Sequence, residues 1–369
     1  MKYYIIAGEA SGDLHGSNLV REIKKLDRLA NVRAWGGDLM QEAGAEVVKH
    51  YRELAFMGFT EVIKNLPTIL KNLKWCKADI EAFSPDVLVL VDYPGFNLRI
   101  AKWAREKGLR IVYYISPQVW AWKEGRVRSI RKVVDKMLVI LPFEADFYRK
   151  WDYEVEYVGH PLVQVINEFL EKHPPAKPPR PVIALLPGSR RQEVAKKLPI
   201  MLAATRAFPQ YQFEVAKASS LEDEFYDPFL QAYPNVGSVR NQTYGLLTRS
   251  SAALVTSGTA TLETALFGVP EVVCYKGSPI SYQIAKRLIK IKYISLVNLI
   301  MDKKVVTELI QHELTVSNIV TELNSLLNDQ ARREALMEDY RQLRSLLQQE
   351  DNASARAAQS IIGLVQATV

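Results

Sequence analysis

Short apolar runs alternate with longer amphipathic segments along the first half of the chain. Nearly unbroken hydrophobic runs occupy residues 3–7, 87–91, 111–115 and 137–140. Such runs are typical of strands buried on both faces, as in a parallel sheet that helices cover on each side. The segments at residues 100–107 and 127–134 have helical spacing. The pattern therefore predicts a doubly wound α/β domain.

A proline-rich segment interrupts this rhythm in the middle of the chain. Residues 172–181 contain five prolines, which excludes a helix or a central strand and predicts a linker. The alternation then restarts, with apolar runs at residues 182–186, 213–216, 252–256 and 272–275. We therefore expect two doubly wound, Rossmann-like α/β domains facing across a cleft, with residues 1–171 in the first and residues 182–369 in the second.

The tail of the chain has a helical composition. From about residue 329 to residue 364 no further strand pattern occurs. Two arrangements fit this tail: its helices cap the second domain, or those from about residue 345 cross back and pack on the first. The sequence leaves both open.

Charge and cysteine content narrow the class of protein. Lys and Arg total 48 against 41 Asp and Glu, and the net charge of +7 favours anionic partners such as phosphates or acidic lipid headgroups. No nucleic-acid motif accompanies this charge, so nucleic acid is not an expected partner. Cys76 and Cys274 lack metal-binding spacing, so neither structural zinc nor a disulfide is expected. Without a signal-peptide pattern or a run of about 18 apolar residues, a cytoplasmic protein is predicted.

The first predicted strand runs into a glycine-rich turn. The turn and the start of the next helix contain candidate ligand-binding residues, namely Gly8, Glu9, Ser11, Gly12, Asp13 and His15. A strand that ends in such a turn before a helix leaves backbone N–H groups aimed at an anion. The spacing is not that of a dinucleotide fingerprint. Two interpretations fit: the turn binds an anion, or Ser11 or Asp13 caps the helix that follows.

Asp92 directly follows the apolar run at residues 87–91. A carboxylate at the carboxyl end of a buried strand lies where doubly wound sheets bind ligands. Asp92 is therefore a candidate general base for a substrate hydroxyl. The alternative is that it caps the next helix.

Two loops in the second half combine small, hydroxyl and charged residues after strands. They supply Gly188, Ser189, Arg190 and Glu193 in the first loop, and Ser257, Gly258, Thr259, Thr261 and Glu263 in the second. Two anion-binding loops in one domain suit a nucleoside diphosphate, with Glu263 placed for the ribose hydroxyls or, alternatively, for a capping box. No P-loop and no pair of nearby acids for a metal is present, so we expect neither a metal nor a cofactor.

Two aromatic and basic features suggest an apolar acceptor or a membrane surface. Trp120 and Trp122 follow a strand and could form a local core or a platform for a sugar or an acyl chain. Residues 54–75 carry an apolar stripe with lysines beside it, which fits either a membrane-surface helix or a core-facing one. A basic cluster strengthens the membrane interpretation slightly, and it consists of Arg126, Arg128, Arg131, Lys132 and Lys136. His160, just before the linker, fits a role at a cleft edge or a structural one.

Several strings along nearly the whole chain resemble lipid-A-disaccharide synthases, a glycosyltransferase family of the two-domain GT-B type. The strings are GEASGD at 8–13, MG at 57–58, VDYP at 91–94, SPQVWAW at 116–122, LPFE at 141–144, VGHP at 158–161, LPGSR at 186–190, SGTATLE at 257–263 and AKR at 285–287. One departure is visible: Val297 stands where the family usually has proline, although Ser295 and Asn298 on either side are kept.

The resemblance implies a defined reaction. The family transfers 2,3-diacylglucosamine from its UDP conjugate to the 6-hydroxyl of 2,3-diacylglucosamine 1-phosphate, with inversion, in the pathway that supplies outer-membrane lipid A. It implies that Asp92 is the catalytic base, that Arg190 is essential and that Glu263 binds the ribose. Asn298 is carried over as a substrate-binding candidate. The expected location is the cytoplasmic side of the inner membrane, with peripheral attachment to its lipids and a homodimer left open.

Two rival functions stay open, the first of them on the same two-domain plan. One is a UDP-sugar epimerase or hydrolase, which would turn over a UDP-sugar without a lipid acceptor. The other is a non-catalytic protein that binds nucleotide-sugars or lipids, which would tolerate the loss of Asp92.

Overall fold

The computed structural model of the protein describes residues 1–53, 66–175, 178–278, 282, 291–349 and 352–367. The chain divides into two compact units. Unit 1 comprises Met1–Pro161 together with Leu347–Val369, and unit 2 comprises Leu162–Leu346.

Unit 1 is built on a seven-stranded parallel sheet in the order β3-β2-β1-β4-β5-β6-β7. Its strands are β1 (Lys2–Ala7), β2 (Asn31–Gly36), β3 (Glu46–His50), β4 (Val87–Val91), β5 (Ile111–Tyr114), β6 (Lys136–Val139) and β7 (Glu156–Tyr157). The central pair is in register from Tyr3 opposite Val87 to Ala7 opposite Val91. All five residues of β4 are fully buried. Both faces of the sheet centre are therefore covered, which accounts for the unbroken apolar runs.

Helices connect these strands. They are α1 (Ala10–Leu26), α2 (Asp38–Glu42), α3 (Leu66–Phe83), α4 (Pro94–Glu106), α5 (Val119–Trp122), α6 (Val127–Val133) and α7 (Pro142–Arg149), with short 3₁₀ turns at Tyr51–Glu53 and Glu124–Arg126. On one face of the sheet, Tyr4 and Leu88 pack with Trp35 and Cys76 in a single hydrophobic cluster. The Trp35 indole N–H donates to the Tyr4 hydroxyl at 3.0 Å, which satisfies a polar group inside this core.

Unit 2 repeats the plan with six parallel strands in the order β10-β9-β8-β11-β12-β13. The strands are β8 (Val182–Leu186), β9 (Gln212–Lys217), β10 (Val236–Arg240), β11 (Ser250–Thr256), β12 (Glu271–Tyr275) and β13 (Thr307–Ile310). The helices are α8 (Pro161–Lys172), α9 (Arg191–Thr205), α10 (Asp223–Leu230), α11 (Thr243–Leu247), α12 (Thr259–Leu266), α13 (Leu296–Met301), α14 (Val316–Asn328) and α15 (Gln330–Leu347), with a 3₁₀ turn at Gln311–Glu313.

The last helix, α16 (Ala353–Gln366), returns to unit 1 and packs on α1. The Arg110 guanidinium donates to the Val365 carbonyl at 3.2 Å, and the Ser360 hydroxyl donates to the Glu156 carboxylate at 2.6 Å. Two arrangements were considered for the tail. For this helix the structure shows the second one, in which the chain crosses back to the first unit.

The division into units differs from the predicted boundary at residue 171. Helix α8 belongs to unit 2 from Leu162 onward, because Phe169 packs edge-on against Tyr244 at 5.4 Å and Phe267 at 6.1 Å between ring centroids. The proline-rich segment consequently lies within unit 2 and not between the units. It leads into β8, where the Pro181 carbonyl accepts the Gln212 N–H at 2.9 Å.

The predicted fold class is confirmed, since both sheets are parallel and interleaved with helices. Every apolar run noted above forms a strand. The strands without a sequence prediction are β2, β3, β7, β10 and β13. Four of these are partly exposed or very short, so their apolar signal is weak. Within the described ranges, no helix is long and apolar enough to cross a membrane.

Candidate active site

The sheet of unit 1 reverses its order between β1 and β4, and ligands bind at the carboxyl ends of strands beside such a switch point. Gly8 and Glu9 follow β1, and Asp92 and Tyr93 follow β4. These two loops touch, because a Cβ on Gly8 would lie 2.3 Å from the Tyr93 ring. Glycine is required at residue 8 for this close approach.

The main chain of Asp92 is firmly held. Its φ of 44° lies in the left-handed region, and Tyr93 follows with a φ of 49°. The Asn97 side-chain amide donates to the Asp92 carbonyl at 2.8 Å, and the Tyr113 hydroxyl donates to the same oxygen at 2.6 Å. Burial, followed by the nearby Glu9 carboxylate, raises the pKa of the Asp92 carboxyl to about 7. A carboxyl with this pKa is suited to accept a proton near neutral pH.

Asp13 has a structural role that neither interpretation of the glycine-rich turn predicts. Its carboxylate accepts the N–H groups of Gly37 at 2.7 Å, Leu39 at 3.2 Å and Met40 at 3.1 Å. These amides form the start of α2, so Asp13 caps a distant helix and not the helix in which it lies. Both carboxylate oxygens of Asp13 accept these main-chain N–H groups, and its role in substrate binding stays a prediction.

The start of α1 keeps its amide groups available. Glu9 is the N-cap residue and makes no side-chain hydrogen bond to the helix. Ser11 is exposed on the first turn, and Gly12 packs against Ala7, with its would-be Cβ only 3.1 Å from the Ala7 Cβ. A helix start without a side-chain cap can bind an anionic group of a ligand.

His15 and His160 are buried neighbours in unit 1. Burial lowers the pKa of His15 to about 4. Burial, together with His15, lowers the pKa of His160 to about 3. Both rings are therefore neutral at pH 7. The His15 Nδ1 atom has no hydrogen-bond partner among the described residues.

Glu144 is a buried acid that is not among the predicted site residues. The Ser116 hydroxyl donates to its carboxyl at 2.5 Å, and the Ile140 and Leu141 N–H groups donate at 3.2 and 2.9 Å. Burial raises its pKa to about 7. This network fixes the loop after β5 against the loop after β6. In the sequence it is marked by the LPFE string, which contains Glu144, and by the SPQVWAW string, which contains Ser116.

The two predicted tryptophans differ in their surroundings. The Trp120 ring packs edge-on against Phe143, with 5.0 Å between centroids. The Trp122 side chain is 48% exposed, with the Lys123 ammonium 4.1 Å and the Arg126 guanidinium 5.6 Å from its ring. Trp120 is thus part of local packing, and Trp122 is available on the surface.

The sheet of unit 2 has its switch point between β8 and β11. The loop after β8 turns at Gly188, whose φ is 117°. A Cβ on Gly188 would lie 2.7 Å from the Glu193 carboxylate, so this loop closes over that side chain. Ser189 and Arg190 are exposed at its tip.

Arg190 is the N-cap residue of α9, and its side chain does not cap the main-chain N–H groups of the helix. Its guanidinium lies 3.5 Å from the Glu193 carboxylate, and its side chain is 63% exposed. The helix start and the exposed guanidinium lie beside the switch point, which is a suitable arrangement for a diphosphate.

The loop after β11 provides a second helix start. Gly258 has a φ of 149°, and it caps α12 without a side-chain hydrogen bond. Gly258 and Thr259 are exposed. The hydroxyls of Ser257 and Thr261 donate at 2.8 Å to the main-chain carbonyls of Ile294 and Gly258. These two hydroxyls hold the loop in place, and its amide groups remain the candidate ligand contacts.

Glu263 is held in position by Tyr244, which is not among the predicted site residues. The Tyr244 hydroxyl donates to the Glu263 carboxylate at 2.9 Å, and burial raises the pKa of Glu263. Tyr244 is itself packed against Phe169 and Phe267, with ring centroids 5.4 and 5.1 Å away. Glu263 therefore does not act as the partner of a capping box. No short motif marks Tyr244, because it is 19 residues away in the chain.

Asn298 has a structural role. It is fully buried, its side-chain amide donates to the Val306 carbonyl at 2.9 Å and to Glu308 at 3.0 Å, and its oxygen accepts the Val305 and Val306 N–H groups. These hydrogen bonds hold the turn before β13 together, and a role of Asn298 in substrate binding stays a prediction.

Three predicted features fall outside the described residues, wholly or in part. They are the string at 57–58, the string at 285–287 and most of the stripe at 54–75. Within the described ranges, no cluster of three or more His, Cys, Asp or Glu side chains could hold a metal ion.

A family model described as lipid-A-disaccharide synthetase matches residues 3–362. The chain belongs to this family. The lipid-A-disaccharide synthase of Geobacter metallireducens is 42% identical over 335 residues, which cover 88% of this chain and 87% of that protein. The synthase of Coxiella burnetii is 37% identical over 370 residues, covering 98% of both chains. The family and the hexosyltransferase class predicted from the resemblance are confirmed.

Solved structures with low sequence identity share the fold. UDP-GlcNAc 2-epimerase from Neisseria meningitidis superposes with a TM-score of 0.65 at 13% identity, over 100% of both chains. The calicheamicin glycosyltransferase CalG4 gives a TM-score of 0.62 at 18% identity, over 100% of this chain and 98% of that one. At this identity the likeness concerns the fold alone, and it supports the predicted GT-B class. The epimerase alternative is not favoured, because the family model and the curated relatives are synthases.

Proposed function

We propose that this protein transfers 2,3-diacylglucosamine from its UDP conjugate to the 6-hydroxyl of 2,3-diacylglucosamine 1-phosphate. The products are the lipid A disaccharide 1-phosphate and UDP. This is the reaction of the family to which the chain belongs. The observation that carries the assignment to this chain is the pair of helix starts without side-chain caps beside the switch point of unit 2, together with Arg190.

The donor nucleotide binds to unit 2 in this proposal. The amide groups at the starts of α9 and α12 and the Arg190 guanidinium bind the diphosphate. The Glu263 carboxylate, held by Tyr244, accepts hydrogen bonds from the ribose hydroxyls. Arg190, the amide groups and the two helix dipoles stabilise the charge that develops on the departing UDP.

Asp92 is the general base. It removes the proton of the acceptor 6-hydroxyl while that oxygen attacks the anomeric carbon and the bond from this carbon to the UDP oxygen breaks. The electron pair leaves with UDP, and the configuration inverts in this single displacement. The raised pKa of Asp92 and its rigid position at the switch point of unit 1 support this role.

A product assay tests the proposal. With the UDP-diacylglucosamine and the diacylglucosamine 1-phosphate, we expect one disaccharide and one UDP per turnover, and no change when EDTA is added. Turnover of the UDP-sugar without the acceptor would instead identify an epimerase or hydrolase. Loss of activity in EDTA would contradict the metal-independent mechanism. UDP binding without any product would identify a binding protein.

The acceptor is a lipid, and we infer that the protein reaches it by peripheral attachment to the anionic inner membrane from the cytoplasm. The exposed Trp122, flanked by Lys123 and Arg126, supports this. Tryptophan with neighbouring cations suits the boundary between lipid headgroups and acyl chains. On α3, Leu70 and Trp75 are also exposed. A homodimer stays a prediction.

Vesicle binding checks this surface. The double variant Lys123→Ala/Arg126→Ala is expected to bind vesicles containing phosphatidylglycerol about 30-fold more weakly than the unsubstituted protein, at about 1 kcal/mol per cation. Lys24→Ala/Lys25→Ala is the matched control, because the last turn of α1 lies at the opposite end of the sheet from the loop after β5. Equal binding by both variants would contradict the assignment of this surface.

A further inference from the structure

Lys197 occupies a position on α9 where the sequence pattern requires an apolar side chain. The buried residues of this helix recur at helical spacing, and besides Lys197 they are Val194, Leu198, Met201, Leu202, Ala204 and Thr205. Lys197 lies within this stripe and is 2% exposed. Burying an ammonium is costly unless it is paired, so a lysine at this position needs a specific reason.

The ammonium lies at the carboxyl ends of the central strands of unit 2. It donates to the hydroxyl of Thr256, the last residue of β11. That hydroxyl donates in turn to the carbonyl of Cys274 in β12 at 3.4 Å. The Lys197 ammonium is also 4.0 Å from the Glu193 carboxylate. It therefore lies at the end of β11, linked through Thr256 to β12 and beside the carboxylate of Glu193.

Glu193 explains why a cation is needed at this place. Its carboxylate fills the space under Gly188 and pairs with Arg190, so it lies against the loop assigned to the diphosphate. A carboxylate there orients Arg190, but its negative charge repels a diphosphate. Burial lowers the pKa of Lys197, and the Glu193 carboxylate opposes this change. The two groups are thus electrostatically coupled.

We infer that Lys197 is a positioning residue for the donor: its buried ammonium offsets the charge of Glu193, so that Glu193 can orient Arg190 without repelling a nucleoside diphosphate. This inference rests on the proposed donor site in unit 2. Lys197 acts through Glu193 and Thr256, and no direct contact with the nucleotide is required.

Binding of UDP alone, measured by calorimetry, tests the inference. The variants are Lys197→Met, Glu193→Gln and the double variant, with Lys196→Met as the control for loss of a neighbouring, partly exposed cation. We expect Lys197→Met to weaken UDP binding about tenfold, because Glu193 is then uncompensated. The double variant is expected to bind UDP more tightly than Lys197→Met, because the repulsive charge is gone. Lys196→Met should bind UDP like the unsubstituted protein.

Thermal unfolding without UDP separates this role from a purely structural one. Replacing a buried cation with a side chain of similar length and no charge is expected to leave the Tm unchanged or to raise it. A lowered Tm with unchanged UDP affinity would overturn the inference, as would a double variant that binds no better than Lys197→Met. Lys197→Leu, which matches the apolar stripe, is the second variant should methionine pack poorly. If the unsubstituted protein does not bind UDP, the proposed donor site itself is wrong.

Discussion

Asp92→Asn is expected to lower kcat about 10²- to 10⁴-fold, because an amide cannot accept the proton of the acceptor hydroxyl. The substitution keeps the shape of the side chain. It also leaves intact the hydrogen bonds from Asn97 and Tyr113, which go to the carbonyl of residue 92 and not to its side chain. Affinity for UDP should change little, since the donor nucleotide is assigned to unit 2. Steady-state kinetics with both substrates, together with calorimetry for UDP, measures the two effects separately.

The pH dependence provides an independent check of the same residue. The pKa of Asp92 is raised to about 7, so the fraction of ionised base increases as the pH rises through this value. Below pH 7, kcat/KM should fall about tenfold per pH unit, since only the ionised carboxylate accepts a proton. Glu9→Gln removes one cause of the raised pKa, and this acid limb should move to lower pH.

Asp146→Asn serves as the control for these measurements, because Asp146 is an exposed acid paired with Arg149 on α7. Its kinetics should match those of the unsubstituted protein. Near-normal turnover in Asp92→Asn, or an acid limb that persists unchanged in the residual activity of that variant, would show that another group is the base.

Arg190→Ala is expected to lower kcat/KM about 10²- to 10³-fold. The guanidinium is 63% exposed at the start of α9 and is the proposed partner of the departing diphosphate, whose charge increases in the transition state. Since the Arg190 side of this ion pair is largely exposed, the loss of the pair should affect the Tm little. The measurements are kcat and KM for the donor, with UDP inhibition as a probe of ground-state binding.

Arg191→Ala is the matched control for this substitution. Arg191 is the next residue in the chain. Its guanidinium lies 4.4 Å from the Phe225 ring, whereas that of Arg190 contacts Glu193. We expect a change of less than about threefold in kcat/KM, since a cation–π contact at an exposed site contributes little. Equal losses of kcat/KM in both variants would mean that activity depends on the total positive charge of the loop. Arg190 would then have no specific role.

Most of the fold and much of the candidate site follow from local sequence patterns. The apolar runs predict β1, β4, β8 and β11, because a strand that is buried on both faces is apolar along nearly its whole length. Since these are the central strands of the two sheets, the loops after them are also predictable. Asp92 follows β4 directly, and Arg190 and Gly258 lie in the loops after β8 and β11, so all three could be predicted.

Roles that depend on residues distant in the chain could not be predicted. Asp13 caps α2, which starts 25 residues later, so a local pattern associates its carboxylate with the wrong helix. Asn298 resembles a family motif residue, yet its amide is used by the turn before β13. Glu263 depends on Tyr244, and Lys197 on Thr256 59 residues away. Such contacts form only when separate strands and helices pack together.

The sequence by itself determined the two parallel sheets, the loops that carry candidate chemistry and, through several motifs in one order, the family. The tertiary structure decided which of those polar groups form hydrogen bonds within their own unit. It also decided that the last helix joins unit 1 and that the chain changes unit within α8. The physical reason is that apolar periodicity is a local property of the chain. Hydrogen-bond saturation, burial and raised or lowered pKa values arise from groups that only folding brings together.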